Sequence, residues 1–153
     1  MTTVNAHAEE REGFGLNFGF STHENSLIFK VKGCKGAQVR LQAAPTFRTH
    51  YLYDVIIDDA NNVTSISKTL NADVIASTTE VRLDCDRALF FWLRWEEGVG
   101  VELGSGPIAG VGSLLSAYDA NAFPVNFVLL AAYEFYQPVT FVVSQDFGAK
   151  YFP

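Results

Sequence analysis

The chain has few charged residues, few histidines and no long apolar run, and each shortage excludes a class of function. Charged residues make up 18% of the 153 residues, and 17 Asp and Glu outnumber 11 Lys and Arg, for a formal net charge of −6. Nucleic acids are bound largely through basic residues that neutralise phosphates, so this composition argues against a nucleic-acid partner. No apolar run reaches the roughly 18 residues that a membrane-spanning helix needs, so we predict no membrane insertion.

Catalytic motifs are also scarce. Of the 3 histidines, His7 and His23 lie in weakly patterned N-terminal sequence, and His50 has no metal-ligand partner at short spacing. The sequence has no Gly-x-Ser-x-Gly nucleophile elbow, and Cys85 has no evident base beside it. We therefore expect a protein that is not an enzyme.

The abundant residues are apolar and aromatic. Hydrophobic residues account for 48% of the chain and aromatic residues for 14%, with a single Met. This combination favours rigid β-type packing over adaptable helical packing. The length fits one domain, which we place at residues 1–153.

Short alternating segments separated by turn residues indicate β-strands. Residues 26–32 (SLIFKVK) alternate apolar and polar side chains, and residues 37–43 alternate again after a glycine-containing turn. Such segments are typical of half-buried strands in antiparallel sheets. The same pattern predicts further strands at 51–58, 63–68 and 78–84.

Two later segments, 88–95 and 125–132, are nearly continuous apolar runs, as expected of strands that are covered on both faces. The cover could come from the opposite sheet, from the aromatic tail at 147–152 or from a second subunit, which leaves a homodimer or higher oligomer open. Residues 113–118 could form one or two helical turns at most. The fold class predicted is all-β, an antiparallel β-sandwich or jelly roll of roughly ten strands.

Residues 101–115 (VELGSGPIAGVGSLL) imitate the glycine-rich loop with which Rossmann-type methyltransferases hold S-adenosylmethionine. That fold needs strands that alternate with crossover helices, and the surrounding sequence contains no such helices. We interpret the stretch as a strand end and a loop within a sandwich.

Taken in order, residues 26–143 resemble the farnesoic acid O-methyltransferase-like domain of many invertebrate proteins. The matching pieces are FKVKGC at 29–34, AQVRL at 37–41, YDVII at 53–57, LDC at 83–85, FWLRW at 91–95 and PVN at 124–126. Cys34 and Cys85 could by themselves be a disulfide or two buried thiols. The resemblance implies that they form a disulfide, because the family carries cysteines at these positions.

The resemblance also implies a β-sandwich that is extracellular and that acts by binding a ligand. We expect an invertebrate lectin that binds a glycan or small saccharide, with galactose favoured. The N-terminal segment is polar and acidic, unlike a signal peptide, so a secreted protein would have lost its leader. A farnesoic acid O-methyltransferase-like enzyme and a protein-interaction module are the alternatives.

Alternate loops of an antiparallel sandwich fall at one end, and here they would gather acidic and aromatic residues. Carboxylate and amide oxygens are the ligands that calcium prefers. The residues predicted to bind calcium are Asp58, Asp59, Asn61 and Asp86. The residues predicted to bind sugar are Tyr133, Glu134, Tyr136 and Gln137.

Ordinary packing offers an explanation for the same residues, since acidic turns often cap their own backbone and aromatic residues often fill a core. Trp92 and Trp95 are predicted to lie in the core. The opposite end offers a second candidate site, which needs no metal. Its residues are Arg48, His50, Asn71, Glu96, Glu97, Asp119 and Asn121.

Overall fold

The computed structural model describes residues 2–6, 18–45, 51–69, 73–134, 137–143 and 150–151. These residues form thirteen strands and no helix. The strands are β1 (Thr2–Ala6), β2 (Phe18–Ser21), β3 (Ser26–Gly33), β4 (Ala37–Gln42), β5 (Leu52–Ile57), β6 (Thr64–Lys68), β7 (Val74–Thr78), β8 (Leu89–Glu96), β9 (Gly100–Ser105), β10 (Ser113–Tyr118), β11 (Phe127–Ala132), β12 (Val139–Val143) and β13 (Lys150–Tyr151).

The strands form two sheets. One has six strands in the order β1-β12-β3-β8-β9-β10, and the other has seven in the order β13-β2-β11-β4-β5-β6-β7. Neighbouring strands are antiparallel throughout both sheets. The predicted antiparallel β-sandwich is confirmed, with more strands than the roughly ten expected. None of the residues described belongs to a helix that is long and apolar enough to cross a membrane.

The core lies between the sheets and is built by alternate residues, because successive side chains of a strand point to opposite faces. In β3, Leu27, Phe29 and Val31 are buried, and the rings of Phe29 and Phe91 stack with centroids 6.1 Å apart. Trp95 is also in this core, as predicted. β11 is buried along almost its whole length, so the prediction of a strand covered on both faces is confirmed there. The same prediction is wrong for β8, which leaves Phe90, Arg94 and Glu96 exposed.

β4 differs from its prediction, because all six of its residues are buried rather than every second one. Two of its polar side chains approach Asp54 beneath the surface. Gln38 donates to Asp54 at 2.9 Å, whereas Arg40 Nε lies 3.8 Å from the same carboxylate oxygen, within ion-pair range but without a hydrogen bond. Burial raises the pKa of Asp54, although Arg40 and Gln38 act in the opposite direction. Buried polar groups need such partners, which polar patterning alone does not reveal.

Two local predictions are wrong. No strand forms at 78–84, where one was expected. Instead, β7 ends at Thr78, whose hydroxyl accepts from the backbone N–H of Glu80. Further along, the N–H of Leu83 donates to the carboxylate of Asp58 at 2.9 Å instead of to a neighbouring strand. Residues 113–118, for which one or two helical turns were expected at most, form the strand β10. Pairing with β9 outweighs their weak local preference for a helix.

Candidate functional site

The residues predicted to bind sugar adjoin the loop between β5 and β6. The N–H of Tyr133 donates to the carbonyl of Gly36 at 2.7 Å, and a Glu134 carboxylate oxygen accepts from the N–H of Ala60 at 3.1 Å. Burial, followed by the nearby Glu134 carboxylate, raises the pKa of Tyr133. The structure therefore brings Tyr133, Glu134 and Gln137 together, and the carboxylate of Glu134 already holds the loop between β5 and β6. Tyr136 lies outside the described residues.

Three residues of the predicted calcium set, Asp58, Asp59 and Asn61, share that loop. The side chain of Asp58 is 1% exposed, and one of its carboxylate oxygens lies 2.7 Å from Lys35 Nζ. Asp59 accepts from the N–H groups of Asn61 and Val63. The fourth residue, Asp86, is exposed. In the described part of the chain, no group of three or more His, Cys, Asp or Glu residues is arranged to hold a metal ion.

Cys34 and Cys85 form the expected disulfide, with their Cα atoms 4.3 Å apart. It ties the turn between β3 and β4 to the irregular segment before β8. The N–H of Gly33 also donates to the carbonyl of Asp84 at 3.3 Å. The loops at this end therefore meet, as the alternation of loops predicted.

A separate cleft of about 550 Å³ opens on the outer face of the six-stranded sheet. It crosses β8, β9 and β10, and the turns beside them complete its walls. Such a volume is within the usual range for a small-molecule site. The lining residues are Asn25, Arg94, Trp95, Glu96, Val99, Gly100, Val101, Glu102, Ser116, Ala117 and Tyr118.

A row of polar side chains crosses the floor of this cleft, because strand register places them side by side. Arg94 pairs with Glu102 between β8 and β9, and Glu102 pairs with Ser116 between β9 and β10. The Arg94 guanidinium donates to Glu102 at 2.5 Å. Hydrogen bonds from Ser113, Arg94 and Ser116 hold the pKa of Glu102 below its usual range, although partial burial opposes them. The carboxylate is therefore ionised and held in place at neutral pH.

Tyr118 provides an exposed aromatic ring at the edge of the cleft. Its side chain is 78% exposed, and its strand neighbour across the ladder is Gly100. A Cβ at Gly100 would collide with the backbone carbonyl of Ala117, and the residue has φ of +138°. The glycine thus permits a close approach of β9 to β10, at a point where a side chain would collide with the neighbouring backbone.

The glycine-rich stretch contributes Val101 and Glu102 to the cleft, and the rest of it lies beyond the lining. Residues 101–105 belong to β9, residues 113–115 belong to β10, and the loop between them folds over Trp92. Trp92 was predicted to lie in the core; it is fully buried, but on the outer face of the six-stranded sheet, where its indole Nε1 donates to the carbonyl of Val111 at 2.8 Å. Gly110 of this loop lies beside the Arg94 guanidinium. The methyltransferase-like pattern is therefore a connection between antiparallel strands, as interpreted from its sequence context.

Sequence reasoning missed most of this cleft. Arg94, Glu102 and Tyr118 belong to three consecutive strands, and only the register of these strands makes them neighbours. Glu96 was expected at the second candidate end and does line the cleft. Asp119 instead accepts from Tyr53 and lies 2.7 Å from Lys68 Nζ. Arg48, His50 and Asn71 of that set lie outside the described residues.

Known structures share this architecture. The carbohydrate-binding module CBM66 from Bacillus subtilis has 16% sequence identity and a TM-score of 0.58, with 97% of this chain and 94% of that chain covered. The exoplasmic/lumenal domain of VIP36, in a Ca2+/Man-bound form, has 8% identity and a TM-score of 0.50, with coverage of 97% and 88%. At such identities, the likeness establishes the fold alone.

No curated protein matches the chain. A family model described as farnesoic acid O-methyl transferase does match, over residues 12–146. This span contains the 26–143 region whose pieces suggested the same family, together with both cysteines and all residues that line the cleft. The chain therefore belongs to the family described as farnesoic acid O-methyl transferase.

Proposed function

We propose that this protein binds carbohydrate in the cleft that crosses β8, β9 and β10. The observation that carries the proposal is the exposed ring of Tyr118 beside the fixed pair formed by Arg94 and Glu102. A sugar presents an apolar C–H face and a rim of hydroxyl groups. An aromatic ring suits the first, and a charged donor and acceptor suit the second.

The polar groups of the cleft are held in place before any ligand arrives. Arg94 is fixed by Glu102 and lies over the Trp92 ring, with its guanidinium carbon 5.7 Å from the ring centroid. Groups that are already ordered lose little conformational entropy when a ligand binds. The CBM66 structure is by its name a carbohydrate-binding module, and VIP36 is described as Man-bound, which supports the same function for this fold.

The loops around Tyr133, Glu134 and Gln137 are the second candidate for the sugar site. The carboxylate of Asp58 accepts hydrogen bonds from Lys35 and from the N–H of Leu83, so a calcium ion there would have to replace these partners. Calcium dependence and a preference for galactose therefore remain predictions of the sequence. A glycan array run with calcium and then with a chelator tests calcium dependence, and the sugars that bind on it test the preference for galactose.

We propose that the protein is not a methyltransferase, despite the description of its family. The glycines that would have to hold S-adenosylmethionine join two antiparallel strands, and Gly104 lies against the Trp92 ring. Calorimetric titration with S-adenosylmethionine tests this directly, and we expect no binding. Binding by the wild type that is lost when Gly104 and Gly106 are replaced, with the variant shown by circular dichroism to remain folded, would support the enzyme instead.

We further propose a secreted protein that forms homo-oligomers. Disulfides persist in oxidising compartments, and the Cys34–Cys85 bond fits such a setting. Strand β7 leaves the apolar side chains of Val74 and Ile75 exposed, and a second copy of the chain would cover such a surface. Size-exclusion chromatography coupled to light scattering measures the oligomeric state.

A glycan array followed by calorimetry tests the carbohydrate proposal. We expect the wild type to bind and Tyr118→Ala to bind about fivefold more weakly, because an aromatic contact contributes roughly 1 kcal/mol beyond its area. The matched variant Tyr133→Phe with Gln137→Ala should bind like the wild type. The opposite pattern would move the site to the loops. A wild type that binds no glycan would leave the protein-interaction module as the better hypothesis.

A further inference from the structure

We infer that the cleft selects uncharged saccharides and discriminates against sulfated, sialylated or uronic forms of the same sugars. This inference rests on the proposed carbohydrate function and adds the chemical class of the ligand. It is carried by the charges of the side chains that line the cleft and by the partners that those side chains already have.

The lining of the cleft is net negative. Among its residues, Arg94 carries the one positive charge, whereas Glu96 and Glu102 carry negative charges. The whole chain is also acidic, with a formal net charge of −6. An anionic substituent on a sugar would therefore meet repulsion both at the site and on approach, and such repulsion is strongest where the surface is concave.

The single cation is not free to compensate for this repulsion. The Arg94 guanidinium already donates to Glu102 at 2.5 Å, and Gly110 lies beside another of its nitrogens. An incoming sulfate or carboxylate would either compete with Glu102 for the donor that this carboxylate occupies or use the remaining N–H groups of Arg94, where it would lie close to the negative charge of Glu102. The Glu102 carboxylate would remain next to the incoming anion, because strand register places it between Arg94 and Ser116 on the floor of the cleft.

The same groups suit the hydroxyls of a neutral sugar. The carboxylate groups of Glu102 and Glu96 accept hydrogen bonds, and adjacent sugar hydroxyls can donate to the two oxygens of one carboxylate. The remaining N–H groups of Arg94 and the side-chain amide of Asn25 can donate to hydroxyl oxygens. Neutral saccharides thus match the lining without displacing its internal ion pair.

Paired probes test this inference. We would use an array that carries neutral oligosaccharides and the same oligosaccharides bearing a sialic acid or a sulfate. For the wild type we expect signals from neutral members that exceed those of their anionic counterparts by at least roughly fivefold, since a like charge a few ångströms away has an effect of this size in a hydrated site. Binding of the neutral members should change little between low and high salt.

A charge reversal at the cleft should shift the preference. Glu96→Lys should raise binding of the anionic members severalfold, and the gain should disappear at high salt. Glu97→Lys is the matched control, because it makes the same change one residue later, at a position outside the lining. We expect that control to keep the preference of the wild type.

The outcomes separate the two proposals. A wild type that prefers the anionic members, or a Glu97→Lys variant that gains as much as Glu96→Lys, would overturn the inference while the carbohydrate function stands. A wild type that binds neither class would overturn the carbohydrate function itself. Preference for the neutral members that Glu96→Lys alone alters would support both.

Discussion

The indole of Trp92 lies directly on the bare backbone of Gly104, its neighbour across β8 and β9. A Cβ at Gly104 would overlap the ring, and the ring cannot retreat easily, because it is fully buried and its Nε1 donates to Val111. The glycine is therefore required for steric room. Its φ is not in the left-handed region, so conformational freedom does not explain it. A residue of the methyltransferase-like stretch thus has a structural reason to be glycine.

Gly104→Ala should destabilise the protein by about 2 kcal/mol or more, because overpacking of a closed site forces side chains or backbone to shift. Urea unfolding followed by Trp fluorescence measures this. Gly98→Ala provides the contrast: its φ is +75°, but nothing lies near its Cβ position. We expect about 1 kcal/mol there, from backbone strain alone. Equal effects of the two substitutions would contradict the steric explanation.

The fold was predictable because its signal is local. Alternation in β3 and the aromatic runs of β8 are visible within a few residues, and burial of one face follows from them. β10 was not predictable in this way, since its strand character depends on pairing with β9 across a bulge after Ser113. The cleft was missed for the same reason: Glu102 and Ser116 become neighbours only when the register of the sheet is known.

The disulfide was predictable by another route. Spacing left Cys34 and Cys85 equally compatible with free thiols, and family resemblance decided between the two. By contrast, the role of Asp58 as a buried partner of Lys35 could not be foreseen, because a pair of aspartates in a polar loop looks the same whether it is solvated, buried or ligated. The sequence therefore placed the acidic loop at the end of the sandwich that carries the disulfide, but it did not reveal the hydrogen bonds of Asp58.

Replacement of both cysteines by serine should lower the free energy of unfolding by roughly 2 to 4 kcal/mol. The bond closes a loop with a sequence separation of 51 residues, and the unfolded chain gains that much conformational freedom without it. Thermal unfolding of the wild type with and without a reductant should show the same loss. If the double variant were as stable as the oxidised wild type, the disulfide would have no stabilising role.

Asp119 should make stability depend on pH. Burial alone would raise the pKa of its carboxyl group, but hydrogen bonds from Lys68 and Tyr53 outweigh burial and lower it. The folded pKa is then below the unfolded pKa, which is about 4. The contribution of Asp119 is therefore complete above the unfolded pKa and is lost as pH falls through the folded pKa.

Asp119→Asn checks this expectation. The difference in free energy of unfolding between the wild type and the variant should be largest above about pH 5 and should shrink as the pH is lowered below about 4. Adding Lys68→Met to both proteins completes a double-mutant cycle, in which the coupling between the two residues should decline over the same interval. A difference that stays constant from pH 7 to pH 3 would rule out this linkage.

Asp58 allows the structural and calcium explanations of the acidic loop to be separated. Its carboxylate accepts from Lys35 and from the N–H of Leu83, and its φ is +53°. Asp58→Ala removes both hydrogen bonds and places a less tolerant residue at a left-handed position, so we expect a loss of about 3 kcal/mol. Asp58→Asn keeps an acceptor for Leu83 and tolerates this φ, so the loss should be nearer 1 kcal/mol.

Thermal unfolding with calcium and with a chelator completes the comparison. If the carboxylate serves only its internal partners, calcium should leave the midpoint unchanged in the wild type, and both variants should show the same losses in either solution. If Asp58 is a calcium ligand, calcium should raise the midpoint of the wild type, because a ligand that binds only the folded state stabilises it. Asp58→Asn should then abolish that rise. The bonds that Asp58 already makes favour the first result.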